Sequence, residues 1–326
     1  QRRGDRGGPR RRPAAGPAVT AVPAVATPAG GGRRRRGGST DRGGLAFASP
    51  VLLLAGVFLV LPLVLAVVYS FAEIAPLSGA VSWVGVQNYA TMLADPVFLR
   101  SLLNTALFAA ITVPGSMAIG LALAVLMNSV MPARRLFRTL VYLPLVISGV
   151  AVGLIGTLLF NETTGVLQAV SAALGLPAVG WQSEGPAAFA SVVLITLWIR
   201  VGFAMIIYLA GLQSVPVELH EAGQLEGAGR WQAFRHITLP LLGPSTFFLL
   251  VMSVIYSFQV FDTVFVLTGG GPGSATEVLG TYAYDRAFGA ARDQGYGSAI
   301  GVVIFLVTLV FTLVQWRASR TRDEAA

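Results

Sequence analysis

The sequence predicts an all-α integral membrane protein with six transmembrane helices, and three observations carry that prediction. Hydrophobic residues make up 54% of the 326 positions and charged residues only 12%, about half the usual ~25% of a soluble domain. Six apolar stretches reach the roughly 20 helical residues that a bilayer crossing requires; they lie near 46–72, 103–127, 139–160, 187–210, 243–267 and 297–316. Arginines gather in alternate connecting segments, which fixes one orientation for the six.

The first stretch carries Pro50 and Pro62 and the second carries Pro114, all of which a membrane helix tolerates better than a soluble one. The first is too long and too far along the chain for a cleaved signal peptide. With the N-terminus inside, the cytoplasmic segments hold Arg134, Arg135 and Arg138, then Arg230 and Arg235, then Arg317, Arg320 and Arg322. The outer segments hold Arg100, Arg286 and Arg292, and 161–186 has no basic residue. Both termini are therefore expected in the cytoplasm, with Trp83 and Trp316 as interfacial anchors.

Charge is uneven along the chain. Residues 1–44 hold eleven Arg against Asp5 and Asp41, and the remainder holds twelve Arg against thirteen acids, so the net +8 belongs to the first segment. Rich in Arg, Gly, Pro and Ala, residues 1–44 are expected to be a disordered basic cytoplasmic tail. Next to a membrane span, such a tail serves topology and anionic lipid rather than nucleic acid. Residues 45–326 form the transmembrane domain.

Composition also removes chemistry. There is no Cys and no Lys, which excludes disulfides, thiol catalysis, a P-loop and a Schiff base. His220 and His236 make no zinc site without carboxylate help and read as polar loop residues. Within the spans, Arg200 is the one clear ionisable residue, with Asp262 nearer a membrane end. No carboxylate set for an ion-coupled carrier is evident. Arg200 either faces a pathway or snorkels to the inner interface. Span five carries Ser253, Tyr256, Ser257, Gln259, Asp262 and Thr263. These groups either line a solute pathway or bond between helices; Tyr256 and Gln259, three apart, share one face. Arg200, Tyr256, Gln259 and Asp262 are the pathway candidates, and no catalytic or metal site is expected. The glycine-rich run 269–273 follows a span on the outer side and reads as a turn.

The longest inner loop runs from Glu218 to Pro240. Leu219, Ala222 and Leu225 recur at helical spacing before Gly227, which can end that helix in the left-handed conformation. A second short helix then carries Trp231, Phe234 and Ile237 towards Pro240. A helix–Gly–helix elbow with an apolar stripe suits docking on a partner.

At these residues the chain resembles the permease subunits of bacterial ATP-binding-cassette importers. Their cytoplasmic loop reads Glu-Ala-Ala, three residues to a Gly, and on to Leu-Pro. Glu221, Ala222, Gly227, Ala228, Phe234, Ile237, Leu239 and Pro240 match, while Gly223 stands where Ala is usual and Glu226 where Asp is usual. Gly223 should weaken the first helix by up to about 1 kcal/mol. Trp83-Val84-Gly85-Val86-Gln87-Asn88-Tyr89, Tyr142-Leu143-Pro144, Leu212-Gln213-Ser214-Val215-Pro216, Phe261-Asp262-Thr263 and Thr268-Gly269-Gly270-Gly271-Pro272 with Ala275-Thr276 resemble the carbohydrate branch, near maltose-type and glycerol-3-phosphate-type first permease subunits.

The resemblance implies a type I importer permease fold in the bacterial plasma membrane, handling a sugar or a glycerol-phosphate-like solute. It also implies a second homologous permease, two ATPase subunits docked on the coupling loop and an extracytoplasmic solute-binding protein. ATP and magnesium would sit on the ATPase, leaving this chain without a cofactor or bond chemistry. A self-contained secondary carrier and a membrane enzyme acting on lipid-linked sugars are the rival classes.

Overall fold

The computed structural model describes residues 40–75, 78–129 and 133–323, most of them helical. The chain divides into two compact units between Leu54 and Ala55. In the first, helix α1 (Thr40–Ala55) begins earlier than expected, so residues 40–44 are helical rather than part of a disordered tail. The expectation for 1–39 lies outside the described residues.

The second unit opens with a π-helical turn, Gly56–Val60, followed by α2 (Leu61–Tyr69). Leu61 N–H bonds Gly56 O, one residue further back than in an α-helix; the wide turn stands just before Pro62, which has no N–H to give. The apolar run Phe47–Tyr69 is long enough to cross a membrane, but it stops short of residue 72. Strand β1 (Ala72–Ile74) instead pairs antiparallel with β2 (Val81–Trp83), Ala72 opposite Trp83. Helix α3 (Gln87–Ala94) closes this corner. Asn88 Nδ2 donates to the carbonyls of Ser70 and Ala72 at 2.9 and 3.1 Å, and Tyr89 Oη to Ser70 Oγ at 2.7 Å. The Trp83–Tyr89 motif therefore ties down the end of the first span.

Three further spans run as single helices among the described residues: α4 (Pro96–Asn128), α8 (Gly185–Gln213) and α15 (Gln294–Asp323, with its apolar part at Gln294–Ala318). Helix α4 lies along α8. A Cβ on Gly120 would meet Ala204 Cβ at 2.5 Å, and one on Gly202 would meet the Val141 carbonyl at 2.4 Å. Lipid tails are as apolar as leucine, so such small-residue seams let backbones approach and pack where hydrophobicity alone gives no drive.

The third and fifth spans depart from expectation. Residues 139–160 form two helices, α5 (Arg134–Val146) and α6 (Gly149–Leu159), bent by 104°. Ile147 is extended, and Ser148 Oγ accepts the Ala151 N–H at 3.2 Å, starting a new helix. The short helix α7 (Val166–Ala173) follows. In the loop that follows α8 lie α9 (Val217–Leu225) and α10 (Arg230–Ala233), then a π-helical turn Phe234–Thr238 and α11 (Leu239–Leu241). That arm meets α12 (Gly243–Phe258) at a 63° bend beside Pro244. Helix α12 stops at Phe258, and α13 (Asp262–Leu267) resumes after a three-residue break, Gln259–Phe261. The glycine-rich run is a turn, with positive φ at Gly269, Gly270 and Gly273. Asn104 Nδ2 anchors the loop beyond it, donating to Ser274 O at 3.1 Å and Glu277 O at 2.9 Å.

Helix α14 (Leu279–Phe288) packs on α15. Asp95 joins these helices to α4. Its Oδ1 caps α4 by accepting the N–H groups of Val97 and Phe98 at 2.9 and 3.3 Å. Its Oδ2 accepts the Tyr296 hydroxyl at 2.7 Å and that of Tyr282. Burial pushes the Asp95 carboxyl up, but these four donors outweigh it and hold it below the ordinary carboxylate range.

Two outcomes are expected. Gly120→Val should wedge α4 from α8, costing about 1–3 kcal/mol, read as a lower thermal unfolding temperature of the purified chain. Asp95→Asn should destabilise the outer clamp by about 2 kcal/mol at pH 7. A carboxyl depressed in the fold stabilises above its unfolded pKa of about 4 and loses that stabilisation as pH falls through its folded value. The difference between wild type and Asp95→Asn should therefore shrink only below about pH 4.

Candidate functional site

The two helix breaks face one another across a cavity of about 280 Å³. Leu145, Ile147 and Gly149 come from the α5–α6 bend, Gln259 to Asp262 from the α12–α13 break, and Arg200 from the middle of α8. The four pathway candidates, Arg200, Tyr256, Gln259 and Asp262, all line this one cavity.

Arg200 reaches across to α12, its guanidinium 3.9 Å over the Tyr256 ring. That placement is a cation–π contact, worth about 0.5–2 kcal/mol and stronger when desolvated. The side chain therefore points into the bundle rather than snorkelling along its helix. Asp262 begins α13 and lies against the first turn of α6, where a Cβ on Gly149 would come within 2.7 Å of its Oδ2. Only glycine admits the carboxylate there. Arg200 and Asp262 form no ion pair with each other, so one cavity holds a cation and a carboxylate apart.

A narrower extension runs between α4, α8 and α12, lined by Thr112, Ser116, Thr196, Ser253 and Ser257. Thr112 and Ser257 hydroxyls bond each other at 3.2 Å, while the buried Thr196 Oγ1 has no partner. Sequence reasoning had singled out Ser253 and Ser257 but missed Thr112, Ser116 and Thr196. The available signal was spacing: Thr112 with Ser116, and Thr196 with Arg200, lie one turn apart on their helices.

In the loop between α8 and α12, the elbow forms at Gly227, with φ of +84°. Gly227 N–H bonds Gln224 O at 3.0 Å and Ala228 N–H bonds Gly223 O at 2.8 Å, the paired 5→2 and 6→1 bonds of a Schellman end. Glu226 is the last residue before that turn. Gln232 Oε1 reaches back to accept the Gly229 N–H at 2.8 Å and starts the second arm. Gly223 is buried, and a Cβ there would lie 2.9 Å from Ile237 Cδ1. The glycine that should weaken α9 also lets its two arms close on each other. Glu221 and Ala222 are exposed, as are Leu239 and Pro240, while Phe234 is half-buried under the stacked Trp231 ring. Leu225 is 90% exposed and Trp231 69% exposed, so the elbow presents uncovered apolar surface.

Comparison with known proteins agrees with this architecture. Residues 116–322 match the family described as binding-protein-dependent transport system inner membrane component. The probable ABC transporter permease protein YurN of Bacillus subtilis is 35% identical over 272 residues, covering 82% of this chain and 92% of the relative. The sulfoquinovosyl glycerol transport system permease protein SmoG of Agrobacterium fabrum is 36% identical, covering 84% and 89%. A crystal structure of a bacterial alginate ABC transporter, in complex with an alginate pentasaccharide-bound periplasmic protein, superposes with a TM-score of 0.76 at 26% identity, covering 86% of this chain and 96% of that one. With more than half its length under the family profile and 82% of it aligned with a relative 35% identical, this chain belongs to the inner membrane components of binding-protein-dependent ABC transport systems.

Proposed function

We propose that this chain is the permease of an ATP-driven importer for a carbohydrate, with the α9–α11 elbow as the surface on which an ATPase docks. The observation that carries the reading is the elbow: a glycine-ended helix pair offering exposed Leu225 and Trp231 beside exposed Glu221, in a chain of this family. Apolar anchors with a neighbouring charge are what a partner cleft needs. The carbohydrate assignment leans on relatives named for sulfoquinovosyl glycerol and alginate. It also suits a cavity that combines the guanidinium of Arg200, the Tyr256 ring, the Gln259 amide and the Asp262 carboxylate.

In this reading a second, homologous permease and an extracytoplasmic solute-binding protein complete the pathway, and two ATPase subunits hold ATP and magnesium. This chain performs no bond chemistry. Both termini lie in the cytoplasm, as the arginine distribution requires. Movement of the docked elbow opens the solute cavity at the breaks, where the span backbone is already interrupted.

Glu221 and Glu218 separate docking from charge in general. Both are exposed on α9, and Glu218 stands in its first turn. Losing one member of a desolvated ion pair costs about 2–5 kcal/mol of association, while a charge favouring the helix dipole is worth about 0.3–1 kcal/mol. Glu221→Ala should abolish uptake or co-purification of the ATPase, and Glu218→Ala should do little. Equal losses for both would sink the specific role of Glu221.

Gly227→Val tests the elbow itself. Nothing lies within 4 Å of a Cβ at Gly227, so the substitution strains the backbone without a clash, by about 1–2 kcal/mol. ATP hydrolysis stimulated by the binding protein should fall while the chain still inserts. Normal coupled uptake would remove the elbow from the mechanism.

A further inference from the structure

Arg200 borders two spaces: the cavity at the helix breaks and the narrow one between α4, α8 and α12. The narrow space measures about 40 Å³, little above the roughly 30 Å³ that a water occupies in the liquid. It has room for a carboxylate or a chloride ion and none for a sugar ring. One guanidinium and hydroxyls from α4, α8 and α12 line it, and no acidic side chain does. Asp262 belongs to the wider cavity, against Gly149.

The hydroxyls of the spans are not equally engaged. Thr105, Thr112, Thr308 and Thr312 each give their proton to the carbonyl four residues back, at 2.7 or 2.8 Å. With the Thr112 proton so placed, Ser257 is the donor in the bond between those two side chains. Thr196 breaks the pattern. It is 7% exposed, its Oγ1 is buried without a partner, and it lines the narrow space one helical turn before Arg200. Buried polar atoms are nearly always paired, so an unpaired one marks a ligand or a water. Arg200 decides between them. A guanidinium keeps its charge at any physiological pH, none of the described carboxylates pairs with it, and the Tyr256 ring 3.9 Å beneath it carries no net charge. A water would answer the hydroxyl and leave the charge; one small anion answers both.

We propose that Arg200 and Thr196, with Ser253 lining the same space from α12, bind one carboxylate-sized anionic group. For the source of that group the proposal rests on the reading of the neighbouring cavity as the solute pathway. A sugar acid would set its carboxylate on these three donors and its ring in the wider cavity at the helix breaks. A free small anion would satisfy the same donors, and the probes below separate the two sources.

The test uses the full chain assembled with its partner subunits in nanodiscs of neutral lipid, read by saturation-transfer difference NMR. Glucuronate, glucose and acetate are the probes, at fixed pH and ionic strength. Glucuronate should bind at least about tenfold more tightly than glucose, which has the same ring without the carboxylate. Thr196→Val keeps the shape and removes the hydroxyl; it should weaken glucuronate about three- to tenfold and leave glucose unchanged. Arg200→Gln should abolish the preference for the acid. Ser253→Ala should weaken glucuronate as well, which serves if Thr196→Val does not assemble. Ser116→Ala removes a hydroxyl that already donates to Val113 O at 3.1 Å and should change neither sugar. Acetate that depends on Thr196 while glucuronate gives no signal would assign the site to a free anion. If neither acid loses affinity in any of the three site variants, the space holds water only and the proposal falls. Uptake into proteoliposomes reports on the pathway alone: a Thr196-dependent glucuronate signal supports the site even where glucuronate is not transported and the pathway reading fails.

Discussion

Inside a bilayer the backbone has no water to bond, so each peptide group in a span must find its partner within the protein. Two interruptions in this chain are organised around that demand. At the first, Ser148 caps α6 with its side chain while its carbonyl accepts the Val152 N–H at 3.0 Å. At the second, Gln259 N–H closes α12 on Ile255 O at 3.1 Å, and Phe261 O accepts the Phe265 N–H at 2.9 Å to begin α13. Gly280 of α14 comes so near Val260 O that a Cβ would lie 2.8 Å from it. Irregular backbone is tolerated at such depth only where it borders a cavity or is enclosed by protein, and both breaks border the same one.

The uninterrupted spans were legible because their signal is additive: long apolar runs, separated by segments in which the arginines gather. Their ends were not. Asp95 extends α4 outward by capping it, and hydropathy gives a single aspartate no such weight. The breaks in spans three and five were invisible for a related reason. Ser148 is one small residue in an apolar run, Pro144 lies a few residues before the bend it accompanies, and the polar side chains around Gln259–Phe261 come with no Gly or Pro to mark a helix end. The short hairpin at 72–83 has too few residues for an alternation pattern to emerge.

For the candidate site, residue type was enough to collect Arg200, Tyr256, Gln259 and Asp262, because polar groups are scarce in membrane helices and each is conspicuous. Which of them meet, and what they meet, required the fold. Asp262 rests against Gly149, far away in sequence, and no local pattern announces that pairing.

The contact between Gly223 and Ile237 bears on the mechanics of the elbow. A pair of arms joined only through a glycine would fold like a loose joint and dissipate any push applied to one of them. Here the arms interlock away from the vertex, through Ile237 pressed on bare backbone at Gly223, and the Schellman bonds brace the vertex itself. Three points of fixation turn the pair into a stiff bracket. The bracket joins α12 at the 63° bend, where Leu242 is buried and its N–H bonds Thr238 O at 3.0 Å.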